Sequence, residues 1–239
     1  MAQVFHPVMN TISRVSIFGA VFFIVAIVLL LMVYVRSPYS TRAQVVIDQP
    51  IPFSHQHHVA DCGIDCRYCH TSVEKSAFAG IPATDVCMNC HSFLFNDQPM
   101  LELVRTSYRD DVPLRWNRVH DVPDFAYFHH GIHIGKGIGC SSCHGRVDQM
   151  PLTWREYSLH MEWCLECHRH PAKHVRPKEF VFRMESLEEL VGTEEFNAYL
   201  QQNHPQLDPE SPDLVFKLRE ILAKEYKLES ETNCSVCHR

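Results

Sequence analysis

Glycine is scarce in this chain: 9 residues in 239, with neither a GxGxxG nor a Walker A pattern among them. A Gly-rich loop that brings backbone N–H groups up to a nucleotide phosphate is therefore excluded. An excess of positive charge is missing as well. With 22 Lys and Arg against 28 Asp and Glu, the formal net charge is −6, which excludes the basic surface that nucleic-acid binding needs. Charge of either sign is absent from Val15 to Val35, and no lipobox-like Cys follows that run. What the chain has in abundance is 11 Cys and 17 His. A core of ordinary composition does not need so many, so composition points to metal or cofactor chemistry.

The uncharged run VSIFGAVFFIVAIVLLLMVYV holds 21 residues. As a helix it measures roughly 31 Å, enough to cross a hydrocarbon core. Arg14 and Arg36 bracket it, and Tyr34 suits the interface. A cleaved signal peptide would have a shorter apolar centre and a small-residue cleavage site, and no A-x-A site follows. The expectation is a tail over 1–14, an uncleaved transmembrane helix over 15–36 and an extended, Pro-bounded linker over 37–52. Flanking charge gives no orientation, because Arg14 precedes the span while Arg36 and Arg42 follow it.

Five Cys-x-x-Cys-His motifs come after the span: Cys66/Cys69/His70, Cys87/Cys90/His91, Cys140/Cys143/His144, Cys164/Cys167/His168 and Cys234/Cys237/His238. This is the attachment pattern of c-type haem. On a short helix, positions i, i+3 and i+4 share a face, so two thiols reach the haem vinyl groups while the adjacent imidazole reaches the iron. Zinc accepts CxxC pairs but does not require a His after each, and disulfides leave the His unexplained. The expectation is five covalently bound c-type haems. Such attachment belongs on the oxidising side of a bacterial membrane, which places the soluble part in the periplasm and the first 14 residues in the cytoplasm. Cys62 is left over and reads as a small buried thiol or a spare residue.

The remaining His are not scattered. Phe53-x-His55-x-x-His58 precedes the first motif, and Phe128-x-His130-x-x-His133 precedes the third. The two units are offset by about 75 residues, as are the motifs that follow them, which marks an internal duplication. Two His three apart on a helical turn lie side by side and can each ligate a different haem, and the Phe can pack on a porphyrin face. His120, His170 and His174 also lie near haem motifs as competing ligands. Met88, Met150 and Met161 have thioethers but read as core packing. His57, His129, His204 and His6 have no assigned role. Arg115, Arg118 and Arg146 are candidates for haem propionates or ordinary surface residues.

The F-x-H-x-x-H…CxxCH layout resembles the cytochrome c7/c3 class. In that class the first His serves the haem that follows it and the second serves the next haem along. A further His just before a CxxCH serves the third. The resemblance implies His55 with His70, His58 with His91, His130 with His144, His133 with His168, and His160 with His238. The whole layout resembles the pentahaem membrane-anchored cytochrome subunits of alternative complex III. The fold class implied is mostly α with extensive irregular loops: a multihaem cytochrome c of two c7-like modules plus one N-terminal transmembrane helix. The first module covers 53–125 with two haems. The second covers 126–239 with three, and carries a helical insertion over 175–232.

That insertion has 13 acidic against 7 basic residues. Ser186–Glu189 fits a capping box, and Ser211-Pro212 fits an N-cap followed by Pro at N1. Leu214, Leu218, Ile221, Leu222 and Leu228 form a helical stripe. Between the modules, 92–127 reads as loop with a short helix near Met100–Tyr108. Iron closed by two imidazoles has no open site for substrate, so the resemblance implies an electron relay rather than an enzyme. Its partners would be the quinol-oxidising membrane and periplasmic subunits of one complex, and downstream a cytochrome c, a copper protein or an oxidase. The alternatives are an anchored quinol dehydrogenase of the NapC/NrfH family and a multihaem oxyanion reductase, although no CxxCK variant occurs.

Overall fold

The computed structural model describes residues 4–238; residues 1–3 of the expected N-terminal tail, and Arg239, lie outside the described residues. The chain divides into two compact units, one ending at Ala43 and the other beginning at Gln44.

The first unit is dominated by a helix over Val8–Arg36. It starts well before Val15, because Val8, Met9 and Ile12 extend the apolar pattern behind Pro7, a residue suited to a helix start. His6 Nδ1 accepts the Val8 N–H at 3.3 Å. At the far end Ser37 Oγ donates to Tyr34 O at 2.6 Å. None of the helix's side chains is buried. It is long and apolar enough to cross a membrane, and its unpartnered apolar surface suits a hydrocarbon surround. Part of the expected linker is a helical turn, Pro38–Thr41.

In the second unit, the rest of that expected linker is tied down. Gln44 N–H donates to Arg155 O at 2.6 Å, Val46 bridges Trp154, and Gln49 and Asn117 exchange hydrogen bonds at 2.8 and 2.9 Å. Short helices and loops make up the remainder, and among the described residues no strand longer than an isolated bridge forms. The mostly helical, loop-rich fold class is borne out. The helix near Met100–Tyr108 runs over Glu102–Asp110 behind a tight turn at Pro99–Leu101.

Among the described residues two apolar cores form. A small one joins Ile51, Leu101 and Val104, with Met88, Leu114 and Trp116 against it. The larger lies in 175–228: Val175, Phe180, Leu187, Leu190, Phe196, Leu200, Leu214, Leu218 and Leu222. Each fully buried Leu or Phe contributes about 1.5–3 kcal/mol. The capping box is present: Glu189 N–H donates to Ser186 Oγ at 3.1 Å and Ser186 N–H to Glu189 Oε2 at 2.6 Å. The Ser211-Pro212 cap is not. The helix begins at Leu214 with Asp213 as its cap, because Ser211 is spent in a turn with Asp208 and its carbonyl accepts Leu214 N–H. Gly137 sits at φ +75°, and a Cβ there would meet Arg176 O at 2.5 Å. Its carbonyl accepts Arg176 N–H at 2.8 Å, which joins the His130–Gly135 helix to the larger core.

Candidate functional site

Each CxxCH motif is a helical turn. The Cys66–Cys69 turn is capped by Asp65, which accepts Arg67 N–H at 2.8 Å and pairs with its guanidinium. Thr84–His91 and Met161–Arg169 carry the second and fourth motifs; Ser141–His144 and Cys234–Cys237 carry the third and fifth. In three of these turns the His N–H closes onto the first Cys carbonyl: His70 to Cys66 at 2.9 Å, His144 to Cys140 at 2.9 Å, His238 to Cys234 at 2.8 Å. Thiols and imidazole are thereby held on one face.

The cysteines are all free. Among the described residues, no three of His, Cys, Asp or Glu converge as a closed zinc site would require. Cys62 is exposed, which corrects the reading of a buried thiol: the turn at its position, ending the Gln56–Asp61 helix, faces outward.

The histidine rings meet in pairs. His58 and His91 lie 6.2 Å apart by ring centroid, His133 and His168 6.0 Å, and His130 and His144 6.3 Å. Two imidazoles on opposite sides of one metal ion, each nitrogen about 2 Å from it, put their centroids about 6 Å apart. The spacing fits. Burial, then the charge of His70, pushes His55 down to about 4, but no ring pairing of His55 with His70 is seen at comparable distance. No ring pairing of His160 with His238 is seen at comparable distance, although Cys237 neighbours Cys164.

The outward nitrogens are equally ordered. Nδ1 of His58, His70, His91, His130, His133, His168 and His238 faces the carbonyl of Ser54, Gly80, Leu94, Ala77, His129, Glu231 and Phe125 respectively, at 2.7–3.1 Å. His55 Nδ1 faces Thr153 Oγ1 at 2.8 Å. A carbonyl accepts the Nδ1 proton, fixes the tautomer and leaves Nε2 for a metal. Burial also lowers His130, His133 and, well below the usual value, His144, which keeps them neutral as ligands must be. The residues present fit covalent haem.

The Phe-x-His-x-x-His unit is built twice in the same way. Phe53 meets His55 edge-on at 4.9 Å and stacks on His58 at 4.4 Å; Phe128 does the same with His130 and His133 at 4.7 and 4.5 Å. The first copy lies on a wide helical turn, with Cys62 N–H reaching His57 O, a form often found at functional sites.

The thiols show which motifs are neighbours. Burial, then charge on Cys87 and Cys90, raises Cys69. Burial, then Cys66, pushes Cys140 up to about 12; burial, then Cys167 and Cys164, does the same to Cys143. Burial, then Cys237, raises Cys164. Direct contacts agree: Asn89 donates to Tyr68 OH at 3.1 Å, Gly131 N–H to Ser76 O at 3.1 Å, and Tyr127 N–H to Cys237 O at 2.7 Å.

Other singled-out residues fall elsewhere. Arg146 pairs with Asp148 at 2.8 Å and Arg118 with Asp121 at 3.2 Å. Met150 is buried and Met88 packs on the small core, but Met161 is exposed, since it opens its helix on the solvent side. His57 faces Asp61, and His204 contacts Tyr199 OH. The carbonyl partners and Thr153 were not legible as functional residues, because a backbone acceptor leaves no signature in residue type.

No protein-family model matches the chain. Over 98 residues it is 36% identical to the multiheme cytochrome c subunit of menaquinone reductase from Nitratidesulfovibrio vulgaris. The match covers 41% of this chain and 46% of that relative, so the chain spans about half the length of the curated relative it matches. That relative's name is in keeping with the multihaem expectation drawn from the CxxCH motifs. It does not single out alternative complex III.

Proposed function

We propose that this chain is a pentahaem electron relay anchored in a bacterial cytoplasmic membrane by its N-terminal helix, with the second unit on the outer side. Ten cysteines, Cys66, Cys69, Cys87, Cys90, Cys140, Cys143, Cys164, Cys167, Cys234 and Cys237, hold the haems. His70, His91, His144, His168 and His238 ligate from the motif side; His55, His58, His130, His133 and His160 close the opposite side. Iron held by two imidazoles exchanges single electrons and offers no open position for substrate.

The observation that carries this reading is the recurrence of imidazole pairs near 6 Å. The protein's own part is to fix most of those rings through backbone carbonyls, to keep His130, His133 and His144 neutral by burial and to hold neighbouring sites close. The thiol neighbourhoods support one linear order of motifs: second, first, third, fourth, fifth. Electrons would enter from quinol-oxidising subunits of the same membrane complex and leave to a cytochrome c, a copper protein or an oxidase. The menaquinone reductase relative supports a quinone-linked complex, and the pentahaem layout supports one like alternative complex III.

The test is a haemochromogen assay with electron paramagnetic resonance on the detergent-extracted protein. Five haems per chain, all low-spin when ferric, are expected. Far fewer haems, or a high-spin signal that responds to cyanide, overturns the relay in favour of an enzyme.

A further inference from the structure

Arg176 is the only buried Arg or Lys among the described residues, 5% exposed. Its Nη1 donates to the carbonyls of Phe180, Arg183 and Glu185 at 3.4, 3.0 and 2.9 Å, and its Nη2 to Ser141 Oγ at 3.3 Å. Nε is buried without a partner and packs on Gly139, where a Cβ would meet Nε at 2.5 Å and Cζ at 2.6 Å. The guanidinium therefore lies against the residues on both sides of Cys140, the first thiol of the third motif.

We propose that Arg176 is a fixed positive charge set against the third haem-attachment turn, raising the reduction potential of the iron site between His130 and His144. The inference rests on the bis-imidazole reading above. Carbonyl dipoles and a hydroxyl hold the guanidinium in place but carry no net charge, so they do not cancel it. The carboxylates within reach of its field, Glu188 and Glu185, pair instead with Arg219 at 2.8 Å and Arg183 at 3.2 Å. Asp148, the buried acid that follows the third motif, pairs with Arg146 at 2.8 Å. Cys140, once its sulfur is a thioether, has no charge to offer. A guanidinium does not shed its proton in compensation. The charge thus stays whole in a low-dielectric surround, where Coulomb interactions are stronger than in water.

Irons closed by the same two imidazoles differ in potential through their surroundings. Reduction of a ferric haem lowers the charge of the site by one, so a cation nearby favours the ferrous form. The third motif is the middle of the order proposed above: Cys140 neighbours Cys66, and Cys143 neighbours Cys167 and Cys164. Arg176 thereby tunes the site that electrons crossing between the halves must use.

The experiment uses the full-length haem-loaded protein, with redox titration followed by optical spectra and electron paramagnetic resonance. Wild type showing five low-spin haems secures the underlying reading independently. H130M, which trades an imidazole for a thioether and so raises the potential of its iron, marks the component belonging to this site. R176Q is expected to keep five low-spin haems and to lower the midpoint of the component H130M marks more than any other. S141D cancels the charge with Arg176 still in place, because its carboxylate meets the guanidinium, and is expected to lower the same midpoint. The neutral S141N is expected to leave it near the wild-type value. Should R176Q fail to fold, the S141D and S141N pair decides alone. Unchanged midpoints in R176Q and S141D, an equal fall in S141N and S141D, or the largest shift in another component would each overturn the proposal. Wild type with fewer low-spin haems would remove the bis-imidazole reading, and this inference with it.

Discussion

The two histidine cradles, 53–91 and 128–168, match in their Phe–His contacts and in one imidazole pair each, and are quite unlike in what surrounds them. His58–His91 and His133–His168 stand 6.2 and 6.0 Å apart, at 64° and 63°. Yet the first cradle rests on a three-residue core of Ile51, Leu101 and Val104, while the second adjoins the nine-residue core of 175–222. A further difference sits at one position. Ala83 and His160 each precede the helix bearing the second motif of their half, each extended, with φ/ψ of −66°/157° and −71°/157°. Only the second half has an imidazole there, and only the second half is followed by a further CxxCH. Ring geometry is dictated by what must be held between the rings, so it survives duplication. Peptide core is free to diverge.

The largest break in that comparison comes from removing what joins the halves. C140A with C143A is expected to lose one haem and to isolate the second and first motifs from the fourth and fifth. Quinol-driven reduction, followed by optical spectra of the complex, should then stop at a subset of haems. C234A with C237A also loses one haem but leaves four in unbroken sequence. Equal behaviour of the two variants would refute the linear order.

Next come the cores. Leu218 is fully buried in the larger core, and L218A should cost about 2–5 kcal/mol by transfer and cavity terms. Val104 is buried in the small one, and V104A removes only about two methylene equivalents, about 1–2 kcal/mol. Denaturation of the haem-loaded protein, read at the Soret band, checks both. Should V104A prove the more damaging, stability would lie in the first half after all.

Much of this was legible because covalent haem imposes spacing that survives in one dimension. The CxxCH turns, the paired Phe-x-His-x-x-His units, the capping box at Ser186 and the Leu214–Leu222 stripe all depend on residues near each other in sequence. What escaped depends on loops. The ring of His120 meets that of His144 from a Pro-rich segment without periodicity, and His168 borrows a carbonyl from Glu231, 63 residues away. The helix start at Leu214 rather than Pro212 turned on how Ser211 was used in the preceding turn. Cys62 faces out because of a wide helical turn that no pattern announces.

The smallest effect tests the duplication itself. Phe53 and Phe128 hold their two histidines in matching edge and stacked contacts, so F53L and F128L remove the same interactions from either half. Each aromatic contact of this kind contributes about 0.5–1.5 kcal/mol beyond area burial. Both variants should keep their haems, and each should disturb the potentials of the two sites its own histidines serve. Phe53, however, has an additional edge partner in Trp116, 6.5 Å away at 83°, and Trp116 packs on the small core. Losing Phe53 therefore loosens core and cradle together, and F53L should lower thermal stability somewhat more than F128L. Identical melting shifts would mean that the small core is independent of the rings it adjoins, and that the likeness of the two cradles owes nothing to the peptide around them.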